Sequence, residues 1–136
     1  MVRGRASSEG RGTLEIKPHT ITLSLVALKR KRNDRVALMA RLSPAVYSEL
    51  GYAPVVSVEL EGDRLLFTPS ASGRVMTRIK QAGGDAAKIW IATLPAMQAI
   101  SGEVCKVRYD GTTASVQVPD AMLAVIQDVM GGRDER

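Results

Sequence analysis

The stretch 55-VVSVELEGDRLLFTP-69 decides how the rest of the chain is read. Val56, Val58 and Leu60 alternate with Ser57, Glu59 and Glu61, the period of two that marks a strand with one buried face. Glu61-Gly62-Asp63-Arg64 then forms a turn built around Gly62, and a second apolar run returns through Leu65, Leu66 and Phe67 to Pro69. Two such runs about a short Gly-centred turn predict a β-hairpin. The same pattern is written again at 103-EVCKVRYDGTTASVQVP-119, with Asp110-Gly111 at the turn. The turn glycines 62 and 111 lie 49 residues apart, and the closing prolines 69 and 119 lie 50 apart.

Working outward, each hairpin is preceded by the same elements. Alternation in 20-TITLSLVAL-28 places Ile21, Leu23, Leu25 and Ala27 on one face of a strand; 35-RVALMARL-42 is a second strand. Ser43-Pro44 is a helix start, Ser as N-cap and Pro at the first helical position, and the short helix 44-PAVYSEL-50 ends at Gly51. In the second half, 73-GRVMTRIK-80 and 87-AKIWIATL-94 are strands, and 95-PAMQAIS-101 is a short helix ending at Gly102. Helix-starting Pro44 and Pro95 are 51 apart, close to the spacing of the turns. A fixed period in element order predicts an internal duplication. The competing reading is two unrelated hairpins in an all-β domain.

The expected fold is therefore α+β and mainly β: a small barrel from two ββαββ repeats plus a C-terminal helix. A length of 136 residues suits a single domain, ordinarily about 100–200 residues. Residues 1–12, rich in Gly, Ser and Arg, read as a flexible basic arm. Residues 13–130 read as one duplicated β-rich domain, with halves at about 20–70 and 71–119 and a helix over 119–130; 131–136 reads as a frayed tail. In 119-PDAMLAVIQDVM-130 an apolar stripe, Met122, Leu123, Val125, Ile126, Val129 and Met130, either packs on the barrel or serves a homodimer or protein partner.

Each half, with open sheet edges, needs the other to close its core. In the basic-residue strand at Arg35-Val36, the helix from Pro44 through Leu50-Gly51 and the acidic-Gly hairpin Val58 through Leu66, the chain resembles the swapped-hairpin family of transition-state regulators, the AbrB/MraZ/SpoVT type. Lys88-Ile89, Pro95, Gly102 and Val107 through Val118 match in the second half, so the resemblance covers about residues 20–119. It implies a duplicated swapped-hairpin barrel and a DNA-binding regulatory role. A double-psi barrel, which also hosts enzymes, is built from similar units, and fold alone does not fix function.

Charge is unevenly spread. Residues 1–41 carry ten Lys and Arg against three acids, a net +7; residues 42–136 carry nine against eleven, a net −2. That asymmetry points to a polyanion. Lys29, Arg30, Lys31, Arg32 and Arg35 cluster enough to neutralise phosphates. Arg41 shares a strand face with Arg35, and Arg3, Arg5 and Arg11 on the arm could enter a groove. Arg32 and Asn33 are candidates for reading guanine and adenine. Arg74, Arg78 and Lys80 alternate in the equivalent second-half strand as a secondary patch. Against this stands a solvated 29-KRKR-32 connector that blunts strand edges, or a surface for docking on an acidic protein.

No catalytic constellation stands out. His19 is the only histidine and sits beside Pro18; Cys105 is the only cysteine and alternates with Val104 and Val107 in a strand, which predicts a buried, inert thiol. No metal-ligand spacing or P-loop is present, and Glu59, Glu61 and Asp63 read as the solvated face of a hairpin. No cofactor and no metal are expected. Trp90 and Tyr47 are assigned to the core. A single cysteine suggests a reducing compartment, no apolar run reaches the roughly 18 residues that span a bilayer, and no secretory signal is expected, so a cytoplasmic location is expected. The sequence thus favours a non-enzymatic DNA-binding protein, a small transcription regulator. The alternatives are a phage or mobile-element assembly protein acting through protein contacts, and an enzyme on a double-psi-like barrel.

Overall fold

Residues 18–28, 35–81, 84–94 and 99–131 are described by a computed structural model. The alternating runs all become antiparallel strands. β1 (Thr20–Leu28) pairs with β2 (Arg35–Leu42), and the helix α1 (Pro44–Glu49) follows. β3 (Val55–Glu61) and β4 (Arg64–Pro69) form the first Gly hairpin. β5 (Arg74–Val75), β6 (Thr77–Gln81) and β7 (Gly84–Leu94) come next. β8 (Ile100–Lys106), β9 (Arg108–Asp110) and β10 (Thr113–Gln117) complete the strands. The helix α2 (Asp120–Ile126) then runs into a π-helical turn, Gln127–Gly131.

The strands form two five-stranded sheets, in the orders β6-β7-β2-β1-β8 and β5-β3-β4-β10-β9. The expected closed barrel is thereby corrected: the hydrogen-bonded ring is broken at two corners. At each corner the chain crosses from one sheet to the other through one residue. Met76 separates β5 from β6, and Val107 separates β8 from β9. Strands that bend to change sheets are a known way of making sandwich corners. The predicted strand 73–80 is accordingly two strands, and the predicted hairpin 103–119 contributes to both sheets.

A second correction concerns 95–101. Residues 95–98 lie outside the described residues, but Ile100 and Ser101 begin β8 rather than end a helix. The reason is the free edge of β1. β8 occupies it, with Ile100 opposite Leu25 and Val104 opposite Thr22, and supplies partners for edge backbone groups that would otherwise face water. Gly102 permits the approach: a Cβ there would lie 2.5 Å from Thr22 Cγ2.

The inner faces meet as predicted by alternation. Ile21, Leu23 and Leu25 of β1, Val36, Leu38, Ala40 and Leu42 of β2, and Ile89 and Ile91 of β7 face Val56, Leu65, Phe67, Ala114 and Val116 of the other sheet. Ala27, assigned to that face, is exposed. α1 forms as expected: Ser43 caps it, its Oγ accepting from Val46 N at 3.5 Å, and Gly51 follows at φ 71°. Both hairpin loops place Gly first, Gly62 at φ 64° and Gly111 at φ 65°, a conformation that costs glycine little. Met122 and Ile126 of α2 are fully buried, and Leu123, Val125, Val129 and Met130 are partly buried against the same core. No helix of the described residues is long and apolar enough to cross a membrane.

Candidate nucleic-acid interface

Because β-sheet side chains alternate, the residues that do not enter the core form an outer face, and directly paired residues share it. On the β6-β7-β2-β1-β8 sheet this face has a continuous row across all five strands: Thr77, Lys88, Arg41, Thr22 and Val104. The row beside it is Trp90, Met39 and Ser24. Arg35 stands at the far end of β2, opposite Leu28, where the chain leaves for residues 29–34. The outward positions of β1, β2 and β7 hold no acidic residue. Arg41 and Lys88 are direct neighbours across the β2–β7 pair, with Cβ atoms of such pairs about 4.5–5.5 Å apart.

Two cations opposed on a sheet repel. An anion lying over the pair would relieve that repulsion. Trp90 is 44% exposed, and Lys88 Nζ lies 5.5 Å from its ring centroid. Its assignment to the core is therefore corrected. Strict alternation is the cause: Ile89 and Ile91 on either side are buried, so Trp90 points outward opposite Met39, and the bulge opposite Leu38 and Met39 shifts the register only beyond Ile91, where Leu38 pairs with Ala92.

Around that bulge runs a groove. One part, of about 550 Å³, is lined by Trp90, Ala37, Thr93, Leu28 and Arg74. A second, of about 450 Å³, lies between Val58, Glu59, Leu60 and Met130. Both parts include Arg74, Ala92 and Val129, which makes them continuous. Arg74 reaches this place because β5 belongs to the other sheet and crosses beside β7.

Of the predicted site residues, Arg35 and Arg41 lie on the outer face as parity required. Lys29, Arg30, Lys31, Arg32 and Asn33, and Arg3, Arg5 and Arg11 of the arm, lie outside the described residues. The secondary patch is divided. Arg74 lines the groove, whereas Arg78 pairs with Asp85 at 3.5 Å and stands 5.9 Å over the Tyr47 ring. Tyr47 and then Asp85 push the pKa of Arg78 up. Lys80 is exposed and faces Asp85 across the hairpin. Lys88 and Trp90 were not singled out from sequence as site residues; their parity with Arg35 and Arg41 becomes visible only when β2 is known to pair with β7.

The outer face of the other sheet is mixed in charge. Arg64 there donates to Ser115, from Nε at 3.2 Å and from Nη2 at 3.1 Å to Oγ, and Glu59 and Glu61 flank it. His19 Nδ1 lies 2.7 Å from the Tyr109 hydroxyl. Burial, then Glu49, pushes the Tyr109 pKa up; burial, then Glu103, does so for Cys105. Among the described residues no three of His, Cys, Asp and Glu gather where they could hold a metal ion. Comparison with protein-family models, with curated proteins and with solved structures yields no match to this chain.

Proposed function

We propose that this chain is a non-enzymatic nucleic-acid-binding protein, in its sequence pattern closest to a small DNA-binding regulator, and that it grips phosphates with the outer face of the β6-β7-β2-β1-β8 sheet. The observation that carries the reading is Arg41 directly opposite Lys88, on a face with Arg35 at its edge and no acid among the outward positions of its three central strands. Phosphate contacts by Lys and Arg supply most sequence-independent affinity through counterion release. The basic run Lys29–Arg32 precedes Arg35 in sequence and adds four positive charges to the same stretch of chain. The same proposal includes the duplication. β2 against β7 and β4 against β10 are the central antiparallel pairs of the two sheets, and each joins corresponding strands of the two halves.

The test is fluorescence anisotropy with labelled duplex DNA and labelled single strands at about 50 and 200 mM salt. Binding that weakens steeply with salt is expected. In an Arg35/Arg41/Lys88→Ala variant, the slope of log affinity against log salt should fall by about 0.7–0.9 for each phosphate that is no longer neutralised. Absence of binding to both probes at the lower salt refutes the reading. A second reading, assembly through strand addition, is favoured by β8, an edge strand among the described residues, where Val104 is 69% exposed. It predicts a stable oligomer in light scattering that Val104→Lys dissolves.

A further inference from the structure

We propose that the groove around the β7 bulge receives an unpaired nucleobase stacked on Trp90, so that the strand held by Arg41 and Lys88 is single-stranded there. The inference rests on the nucleic-acid reading above and specifies its substrate class. Three observations lead to it. Trp90 is a large aromatic on a polar, cationic face, where burial within the fold does not explain it. Its indole opens onto a groove of about 550 Å³, within the ordinary range for ligand pockets. The groove also holds Arg74, a planar cation suited to a phosphate or to a base edge.

Stacking platforms for single strands combine a cationic track with exposed aromatics, because every base presents a π-face once it leaves the duplex. Here the track and the platform are adjacent on one strand, Lys88 and Trp90 two residues apart with both side chains outward. Duplex DNA offers phosphates to Arg41 and Lys88 but keeps its bases stacked inside, out of reach of an indole set in a groove. A strand with free bases can use both features at once.

Trp90 is the chain's only tryptophan, so its fluorescence reports the site directly. Titration with an oligo(dT) of about 20 nucleotides should quench it strongly, while a duplex of the same length should quench it weakly at equal occupancy. By anisotropy with labelled probes, Trp90→Ala should weaken oligo(dT) binding about 5- to 150-fold. Trp90→Phe, which keeps a π-face, should restore most of the loss, and matching far-UV dichroism should show both variants folded. If oligo(dT) binds Trp90→Ala as well as it binds the native chain, or saturates without quenching, the stacking inference is wrong while the phosphate-gripping reading stands. If neither probe binds at low salt, both fail together.

Discussion

Gly73→Ala tests the geometry that brings Arg74 to the groove. At Gly73 the chain returns from β4 to the free edge of β3, where Arg74 pairs with Val56. A Cβ there would sit 2.4 Å from Val56 O, 2.8 Å from Val56 C and 3.0 Å from Ser57 Cα. These are backbone atoms of a paired strand, so no side chain can swing aside. The residue also has φ 149°, a region that other residues rarely occupy. Backbone strain of about 1–3 kcal/mol and overpacking of about 1–3 kcal/mol give a loss of roughly 2–6 kcal/mol. Against a typical domain stability of about 5–15 kcal/mol that is a large fraction. At roughly 3–4 °C per kcal/mol for a chain of this size, Tm should fall by about 6–24 °C. Gly62→Ala and Gly111→Ala are the controls: both glycines have positive φ, but nothing lies within 4 Å of their added Cβ. Each should cost about 1–2 kcal/mol. Thermal and urea unfolding of the three variants would decide it. A Gly73→Ala variant as stable as the two controls would show that β5 does not approach β3 as described, and the position of Arg74 would lose its basis.

Other consequences are open to measurement. Arg41→Glu should turn a repulsive cross-strand pair into an attractive one, raising stability by about 0.2–1 kcal/mol in urea unfolding while weakening nucleic-acid affinity; a fall in stability would show that Arg41 and Lys88 are not opposed. Ser43→Ala removes an Oγ that accepts from Thr20 N at 3.2 Å and donates to Pro18 O at 2.8 Å besides capping α1, and should cost about 1–2 kcal/mol by chemical denaturation. Cys105 is buried with its pKa pushed up, so the native thiol should react with a disulfide reagent at about pH 8 far more slowly than the urea-unfolded chain; equal rates would refute its burial. The folded state holds the Cys105 and Tyr109 protons more tightly than the unfolded chain does. That contribution is complete below the ordinary values of 9.0 and 10.0 and is lost as pH rises through the raised ones. Stability should therefore fall as pH rises above about 9, and the fall should be shallower in Cys105→Ala when followed by urea midpoints.

The sequence by itself determined what depends on near neighbours. Alternation defined the strands, because a strand's two faces are set by a period of two. Gly62 and Gly111 located the hairpins, since the first loop position requires positive φ. Ser43-Pro44 and Gly51 bounded α1, because caps act within one turn. The same period also put Arg35 and Arg41 on one face. What the sequence could not determine was which strand lies beside which. Pairing of β2 with β7 brings Lys88 opposite Arg41 from 47 positions away, and sets Trp90 opposite Met39 on the same outer face. Residues 100 and 101 looked helical by local signals, and the unsatisfied edge of β1 made them strand. Met76 and Val107 are ordinary core-type residues in sequence, yet they are the corners where the two sheets exchange strands. Pairing, register and corners are decided by burying one shared core and satisfying every edge, and those are properties of the whole chain rather than of any segment of it.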